Sequence, residues 1–317
     1  MIEANDITVR FGTAEALRGI NLTLSPGQRL GIVGESGSGK SMLGLSLMGM
    51  LPDAAGMSGQ IRIDGTDMTG AKIASWRAIR ARKVAMIFQE PLAALNPLRR
   101  VGNTVMEPLR QHLGHSKDAA RARVLQLFEE TGIQDPVAKF RQFPHELSGG
   151  QRQRVLISLA LACNPKVLIA DEPTTALDAH VALRITDLLV RLAEERGMAL
   201  VFISHDLAAV ARTAQDIAVM YGGEIVERGP VHAVLSSPHH PYTQGLLLAR
   251  PALGAGHLRE RLPVIPGTVP AMRDLAVGCR FSGRCAVELP HCATERPASR
   301  PVGAHHDAAC HRIGAAT

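Results

Sequence analysis

Aromatic side chains are scarce in this sequence of 317 residues: Phe, Trp and Tyr together make up 3%. So small a supply excludes extended surfaces for stacking bases or sugars. No stretch approaches 18 consecutive apolar residues, so no segment is expected to span a membrane alone. Met1 to Asp6 show no basic region leading into an apolar run, and no signal peptide is expected. Five cysteines, an odd number, do not fit a simple secreted disulfide framework. There is no internal repeat, which excludes two tandem copies of one module. A large charge imbalance is missing too: the net charge is +6, and 29 of the 35 basic residues are Arg. That balance admits anionic ligands without marking a nucleic-acid binder, and no nucleic-acid partner is expected. What the chain does have is 46% hydrophobic residues, enough for a buried core. The first expectation is a cytosolic α/β protein.

Periodicity divides the chain into regions. Ile7-Thr8-Val9, Ile20 to Leu24 and Ile61-Arg62-Ile63 alternate apolar and polar residues as strands do. Leu30-Gly31-Ile32-Val33-Gly34 is a short apolar run suited to a buried parallel strand. A helix is expected from Lys40 to about Met50. Helical spacing at Val105 to Leu113, Ala119 to Thr131 and Gly150 to Cys163 predicts a helical insertion over about 92–165. Strands return at Val167 to Ala170 and Leu200 to Ser204, with a helix carrying Val181, Ile185, Leu188, Leu189 and Leu192 between them. Tyr221-Gly222-Gly223 predicts a hairpin turn. From Pro238 onward Pro, Gly, Arg, His and Cys dominate and periodicity fades. Two units are therefore expected, residues 1–250 and 251–317.

Gly34-Glu35-Ser36-Gly37-Ser38-Gly39-Lys40-Ser41 matches G-x-x-x-x-G-K-[ST], and it lies between a predicted buried strand and a helix. In such a loop, glycines let backbone N–H groups turn inward around phosphates, and the following helix N-terminus favours anions. Lys40 is expected to reach the β- and γ-phosphates and Ser41 to ligate Mg²⁺. Val167 to Glu172 is an apolar strand ending in two carboxylates. It would deliver Asp171 beside the Mg²⁺ and leave Glu172 to orient or deprotonate a water for attack on the γ-phosphate.

Leu147-Ser148-Gly149-Gly150-Gln151 opens the predicted helix that runs to Cys163. Alone it reads as a capped helix start with Ser148 as N-cap. Together with the phosphate loop and the Asp171-Glu172 strand end, it resembles the signature of ABC-type ATPases. Further pieces of that pattern follow in order. Gln89, after the strand Val84 to Phe88, is similar to the family's Q-loop glutamine. Ala176-Leu177-Asp178 resembles its D-loop, and His205 its switch histidine. Phe11 stands where the family usually places an aromatic, more often Tyr, that stacks on adenine. The resemblance covers residues 1 to about 250.

It implies a P-loop α/β domain of the ABC type with a helical subdomain, hydrolysing ATP with Mg²⁺. Gln89 would join Ser41 and Asp171 around the metal. Glu172, His205 and Gln89 would serve catalysis. The signature residues Ser148, Gly149, Gly150 and Gln151, with Asp178, would complete a nucleotide site on a second ATPase subunit, expected to be a different chain. Phe88 to Pro97 is similar to the peptide/nickel importer group, where the surface after the Q-loop grips a membrane subunit. Two permease subunits and, indirectly, an extracytoplasmic solute-binding protein are the implied partners. The implied location is peripheral, on the cytoplasmic face of the inner membrane. Import of oligopeptides or dipeptides is the expected function. Nickel chelates, glutathione and a soluble non-transport ATPase are the alternatives.

Pro238-His239-His240-Pro241-Tyr242-Thr243 resembles the start of the C-terminal extension of oligopeptide and dipeptide importer ATPases. Cys279, Cys285, Cys292 and Cys310 follow in the spacing C-x₅-C-x₆-C-x₁₇-C. Four thiolates suit tetrahedral Zn²⁺ or an iron–sulfur cluster, and the spacing matches neither zinc-ribbon pairs nor the bacterial ferredoxin run. Nearby His291, His305, His306 and His311 leave a mixed Cys/His site open. The resemblance implies a [4Fe–4S] cluster, with Zn²⁺ as the alternative, stapling a tail with little core of its own. Cys163, in an apolar helix, is expected to be a small core residue.

Overall fold

The computed structural model describes residues 1–175, 177–249 and 264–314. The expected boundary at 250/251 lies outside the described residues, as does Ala176 of the D-loop-like segment.

Two sheets share the fold among these residues. The first is antiparallel, in the order β2-β1-β4-β5, from β1 (Ile2–Phe11), β2 (Ala14–Leu24), β4 (Gly56–Ile63) and β5 (Thr66–Asp67). The second contains β3 (Arg29–Val33), β6 (Val84–Ile87), β7 (Val167–Asp171), β8 (Ala199–Ser204), β9 (Asp216–Tyr221), β10 (Glu224–Pro230), β11 (Arg300–Gly303) and β12 (His306–Ala308). Its order is β11-β12-β10-β9-β3-β8-β7-β6. From β9 to β6 the neighbours run parallel, whereas β10, β12 and β11 add antiparallel strands.

Every residue of β6, β7 and β8 is buried. Parallel strands need both faces covered, which explains their near-continuous Val, Ile, Leu and Ala runs. Alternation sorts the side chains. Val167 and Ile169 join a core with Leu43 and Leu47 of α1 (Lys40–Leu47) and with Ile2, Ile7 and Ile61 of the first sheet. Leu168 and Ala170 face the other core. That core is built on α4 (Val101–Leu113), α5 (Lys117–Glu130), α7 (Gly149–Leu161), α8 (Ala179–Glu195) and α9 (Leu207–Thr213). Between β6 and β7 the chain is helical throughout, with α3 (Pro91–Ala94) and α6 (Pro136–Phe140) completing the insertion. The remaining helices are α2 (Ile73–Ile79), α10 (Val231–Ser236) and α11 (Pro241–Leu248). Cys163 is 6% exposed and its thiol approaches Pro108 O at 3.5 Å, as a core residue would.

One expectation is corrected and one pair of strands is added. Helix α1 ends at Leu47 rather than near Met50. Gly49 follows at φ +58°, with the Trp76 ring so close that a Cβ there would lie 2.2 Å from it. The tail, where periodicity fades in the sequence, supplies β11 and β12. These strands have four and three residues and include Pro301, too short to show periodicity of their own. They form because β10 offers a paired edge, with Glu227 opposite Ala308 and Arg228 opposite Asp307.

The tail is therefore anchored by the parent core as well as by its own residues. Phe281 is 4% exposed and packs edge-on to Tyr221, with ring centroids 5.1 Å apart, and beside Tyr242 at 5.4 Å. The Glu227 carboxylate is fully buried and accepts from His239 N–H (2.7 Å), His240 N–H (3.0 Å) and the His306 ring (2.8 Å). Substituting Phe281→Ala should cost about 3–5 kcal/mol, read as a lower denaturant midpoint in urea unfolding followed by circular dichroism.

Candidate active site

Strand β3 runs into the loop Gly34 to Gly39, and α1 begins at Lys40. Glycine is required at Gly34 because a Cβ would lie 2.2 Å from Met220 O and 2.6 Å from Ser38 Oγ. At Gly39 the backbone is left-handed (φ +98°), the conformation glycine adopts freely. Ser36 and Gly37 are exposed at the loop tip, while Ser38 is fully buried. Lys40 is 5% exposed, and its Nζ donates to Gly34 O (2.8 Å) and Glu35 O (3.0 Å). Burial pushes the Lys40 pKa down, against the opposing pull of Glu172, Asp171 and Glu35. A buried ammonium at a helix start has the chemistry to receive a phosphate.

Asp171 shares its face of β7 with Val167 and Ile169, which aims it at α1. It is 4% exposed, and its Oδ1 has no hydrogen-bond partner. Burial raises its pKa; the Ser41 hydroxyl works against that rise, neighbouring Glu172 adds to it, and Lys40 opposes it. An orphaned buried carboxylate oxygen calls for a partner, and a hard cation beside a hydroxyl is a fitting one.

Glu172 follows in a left-handed backbone conformation (φ +45°), a strain of order 1–3 kcal/mol for a non-glycine residue and typical of functional positions. Its Oε2 gathers three groups: Gln89 Nε2 at 3.2 Å, Thr175 Oγ1 at 2.8 Å and His205 Nδ1 at 3.3 Å. Gln89 comes from the end of β6 and His205 from the end of β8, so three strand ends meet at one carboxylate. The geometry can hold a water beside a carboxylate base at the edge of a phosphate receptor.

The other expected residues lie elsewhere. Ser148 is the N-cap of α7, in a reciprocal box with Gln151: Gln151 N–H donates to Ser148 Oγ at 3.3 Å and Ser148 N–H to Gln151 Oε1 at 3.0 Å. Gly149 and Gly150 pack close to Leu177 and Val181, where a Cβ on Gly150 would meet Val181 at 2.7 Å. Asp178 caps α8 by accepting from Val181 N–H at 3.0 Å. None of these bonds reaches the chain's own phosphate loop. Phe11 ends β1, half-buried against the core under the first sheet.

The four tail cysteines line one small cavity, which His240, Phe281, His311 and Arg312 share. Burial pushes the Cys279 thiol up to about 11, and nearby Cys292 and Cys310 add to that. Cys285 and Cys310 are raised by the same causes, burial first. Among the described residues, no three His, Cys, Asp or Glu side chains are set closely enough to hold a single metal ion. Three of the nearby imidazoles already use one ring nitrogen each: His306 on Glu227, His311 on Glu295 O at 2.9 Å, and His240 accepting from Tyr242 N–H at 3.0 Å. Burial holds His240 neutral, with its pKa lowered to about 3.

Sequence reasoning passed over four residues. Thr175 stands three positions after Glu172, within reach of a motif-based reading. Glu35 was read only as a loop position, and Tyr242 only as part of the segment opening the extension. Arg284 carried no signal. Its guanidinium meets the Glu35 carboxylate at 2.8 and 3.1 Å, across 249 positions of sequence.

Comparisons with known proteins agree with this layout. A family described as "ABC transporter" matches residues 17–175, and one described as "Oligopeptide/dipeptide transporter, C-terminal region" matches residues 226–292. The dipeptide transport ATP-binding protein DppD of Escherichia coli is 41% identical over 317 residues, covering 98% of this chain and 96% of DppD. A putative peptide import ATP-binding protein of Brucella ovis is 42% identical over 308 residues, covering 94% and 91%. Among solved structures, the dimeric ATP-binding cassette MJ0796 bound to ADP and Pi is 30% identical, with a TM-score of 0.65 over 73% of this chain and 99% of that one.

Asp171 carries a pH prediction. Below the ordinary carboxylate range of about 3.9 it is neutral folded and unfolded, so its burial costs nothing. As pH rises through its elevated folded pKa, the folded state must hold a desolvated charge and loses stability. Asp171→Asn should therefore raise the nucleotide-free Tm by about 2–4 °C at neutral pH and leave it unchanged at low pH. The same variant should lose the stabilisation that Mg²⁺ with ATP gives the parent protein, measured by thermal shift.

Proposed function

We propose that this chain, which belongs to the ABC transporter family of ATP-binding subunits, hydrolyses ATP to drive the import of oligopeptides or dipeptides across a membrane. The convergence of Gln89, Thr175 and His205 on one Glu172 oxygen, beside buried Lys40 and Asp171, carries the hydrolytic part. The near full-length likeness to DppD, including the C-terminal region, supports the peptide part.

In this reading Lys40 and the N–H groups of Gly34 to Gly39 hold the phosphates, with Phe11 against the adenine. Ser41, Asp171 and Gln89 hold Mg²⁺. Glu172 takes a proton from the attacking water, and His205 steadies the γ-phosphate. Ser148, Gly149, Gly150, Gln151 and Asp178, whose hydrogen bonds do not reach their own phosphate loop, complete the site of a second ATPase subunit. MJ0796, similar in fold, is described as a dimer in its post-hydrolysis state. Among the described residues no helix is long and apolar enough to cross a membrane, so two permease subunits supply the pore. The chain then sits peripherally on the cytoplasmic face of the inner membrane. Its contact surface is the segment around Gln89 and α3, where Phe88 is 36% exposed and Leu98 86% exposed. The side chains of Pro91 and Leu92, at the start of α3, lie outside the described residues. We assign residues 1–250 to the ATPase domain, with a helical subdomain over about 92–165, and residues 251–317 to the extension.

Cys279, Cys285, Cys292 and Cys310 would hold a [4Fe–4S] cluster. The four thiols line one cavity, which supports placing them around one centre. When bound, the cluster would tie four separate points of the tail together. These residues would serve as thiolate donors, and a positive core would offset the burial that raises the pKa values of Cys279, Cys285 and Cys310.

Glu172→Gln should retain ATP binding yet lower turnover by about 10²–10⁴-fold. Wild-type-like turnover in the assembled transporter would remove Glu172 from its role. For the tail, anaerobic purification should give about four iron and four labile sulfide per chain, falling sharply in Cys292→Ser. Zinc in place of iron and sulfide would overturn the cluster.

A further inference from the structure

The phosphate loop has an uncommon neighbour. Glu35, its second residue, is held by two groups from the segment 226–292 that matches the transporter C-terminal region. Its backbone N–H donates to the Tyr242 hydroxyl at 2.8 Å, and Tyr242 is fully buried. Its carboxylate accepts both arms of Arg284, Nη1 at 2.8 Å and Nη2 at 3.1 Å.

Arg284 is committed to this place. Its side chain is 5% exposed, and all five of its N–H donors have an acceptor in reach. Besides Glu35 they meet Pro266 O at 2.7 Å, Gly267 O at 3.3 Å and the Tyr221 hydroxyl at 3.3 Å. The guanidinium also lies over the Tyr221 and Phe281 rings, at 5.6 and 6.0 Å from their centroids. Burial works against its charge, but Glu35 and Tyr221 outweigh burial and the pKa is raised.

Chemistry gives this pairing a purpose. Glu35 places a negative charge on the loop that must receive a polyphosphate. A bidentate arginine neutralises that charge and fixes the loop backbone, whose Gly34 and Glu35 carbonyls also hold Lys40. The anchor lies next to Cys285, so the tail reaches the nucleotide site within one residue of the cysteine-lined cavity.

We propose that Arg284 and Tyr242 are positioning residues for ATP binding, acting through Glu35 to set the phosphate loop, so that the C-terminal region is a working part of the nucleotide site. This rests on the phosphate-receptor reading of Gly34 to Ser41. Binding of a fluorescent ATP analogue with Mg²⁺ to the full-length wild-type chain tests that reading first, and its failure would be seen before any variant is made.

Arg284→Gln leaves the Glu35 carboxylate unpaired and should weaken analogue binding about tenfold. The double variant Glu35→Gln with Arg284→Gln removes the charge as well and should recover most of that loss. Arg284→Lys, a point charge without the five-donor fork, should fall between. Wild-type affinity in Arg284→Gln, or a double variant no better than the single, would overturn the proposal. Should Arg284→Gln fail to fold, Tyr242→Phe decides instead: a several-fold loss of affinity with wild-type Tm upholds the proposal, and unchanged affinity overturns it.

Discussion

A parallel strand buried on both faces can present polar chemistry only where it ends. Strands β3, β6, β7 and β8 are bound by that constraint, and all four end at one edge of the sheet. Val33 leads into the phosphate loop, Ile87 into the turn that carries Gln89, Ala170 into Asp171 and Glu172, and Ser204 into His205. The catalytic arrangement follows from the hydrophobic one. Alternation along β7 turns Asp171 toward α1, and the left-handed turn at Glu172 lifts the next carboxylate to the neighbouring strand ends. Registration of the sheet thus does work that loops alone could not do to sub-ångström tolerance.

Much of this was legible in the order of residues. The phosphate loop, the Asp171-Glu172 strand end and the α7 cap are local patterns, each formed within about eight residues, and local patterns survive without knowledge of the fold. Gln89 and His205 were legible only through family likeness, because a lone Gln or His after an apolar run has no chemistry of its own to announce. What escaped was non-local. Nothing near Arg284 says that its partner is Glu35. Strands β11 and β12 are too short to show a period, and they exist only because β10 lies beside them. The early end of α1 depends on where Trp76 comes to rest. In each case the determining contact is made by a residue far along the chain.

Relations between the two regions look different once these contacts are counted. The tail was expected to depend on a metal because it has little core of its own. Whatever a metal adds, Phe281 joins the parent core against Tyr221 and Tyr242, and the tail's polar residues close on Glu35, Glu15, Glu224 and Glu227. Glu224 and Glu227 are deeply buried, so their partners are obligatory: removing one leaves an uncompensated charge, which is costly well beyond the worth of a surface ion pair. The cysteine-lined cavity sits on that joint and does not stand apart from it.

Strand β12 has one more consequence. A sheet that ended at β10 would show a row of unpaired backbone groups to solvent, the kind of template along which other chains assemble. The short hairpin of β11 and β12 covers that row, and its own outer strand is only four residues long and carries Pro301, which has no N–H to offer. The C-terminal hairpin therefore acts as a stopper on sheet growth. A chain cut short before Arg300 would face its neighbours with an adhesive flank, and insolubility, not merely lower stability, is the penalty the fold avoids.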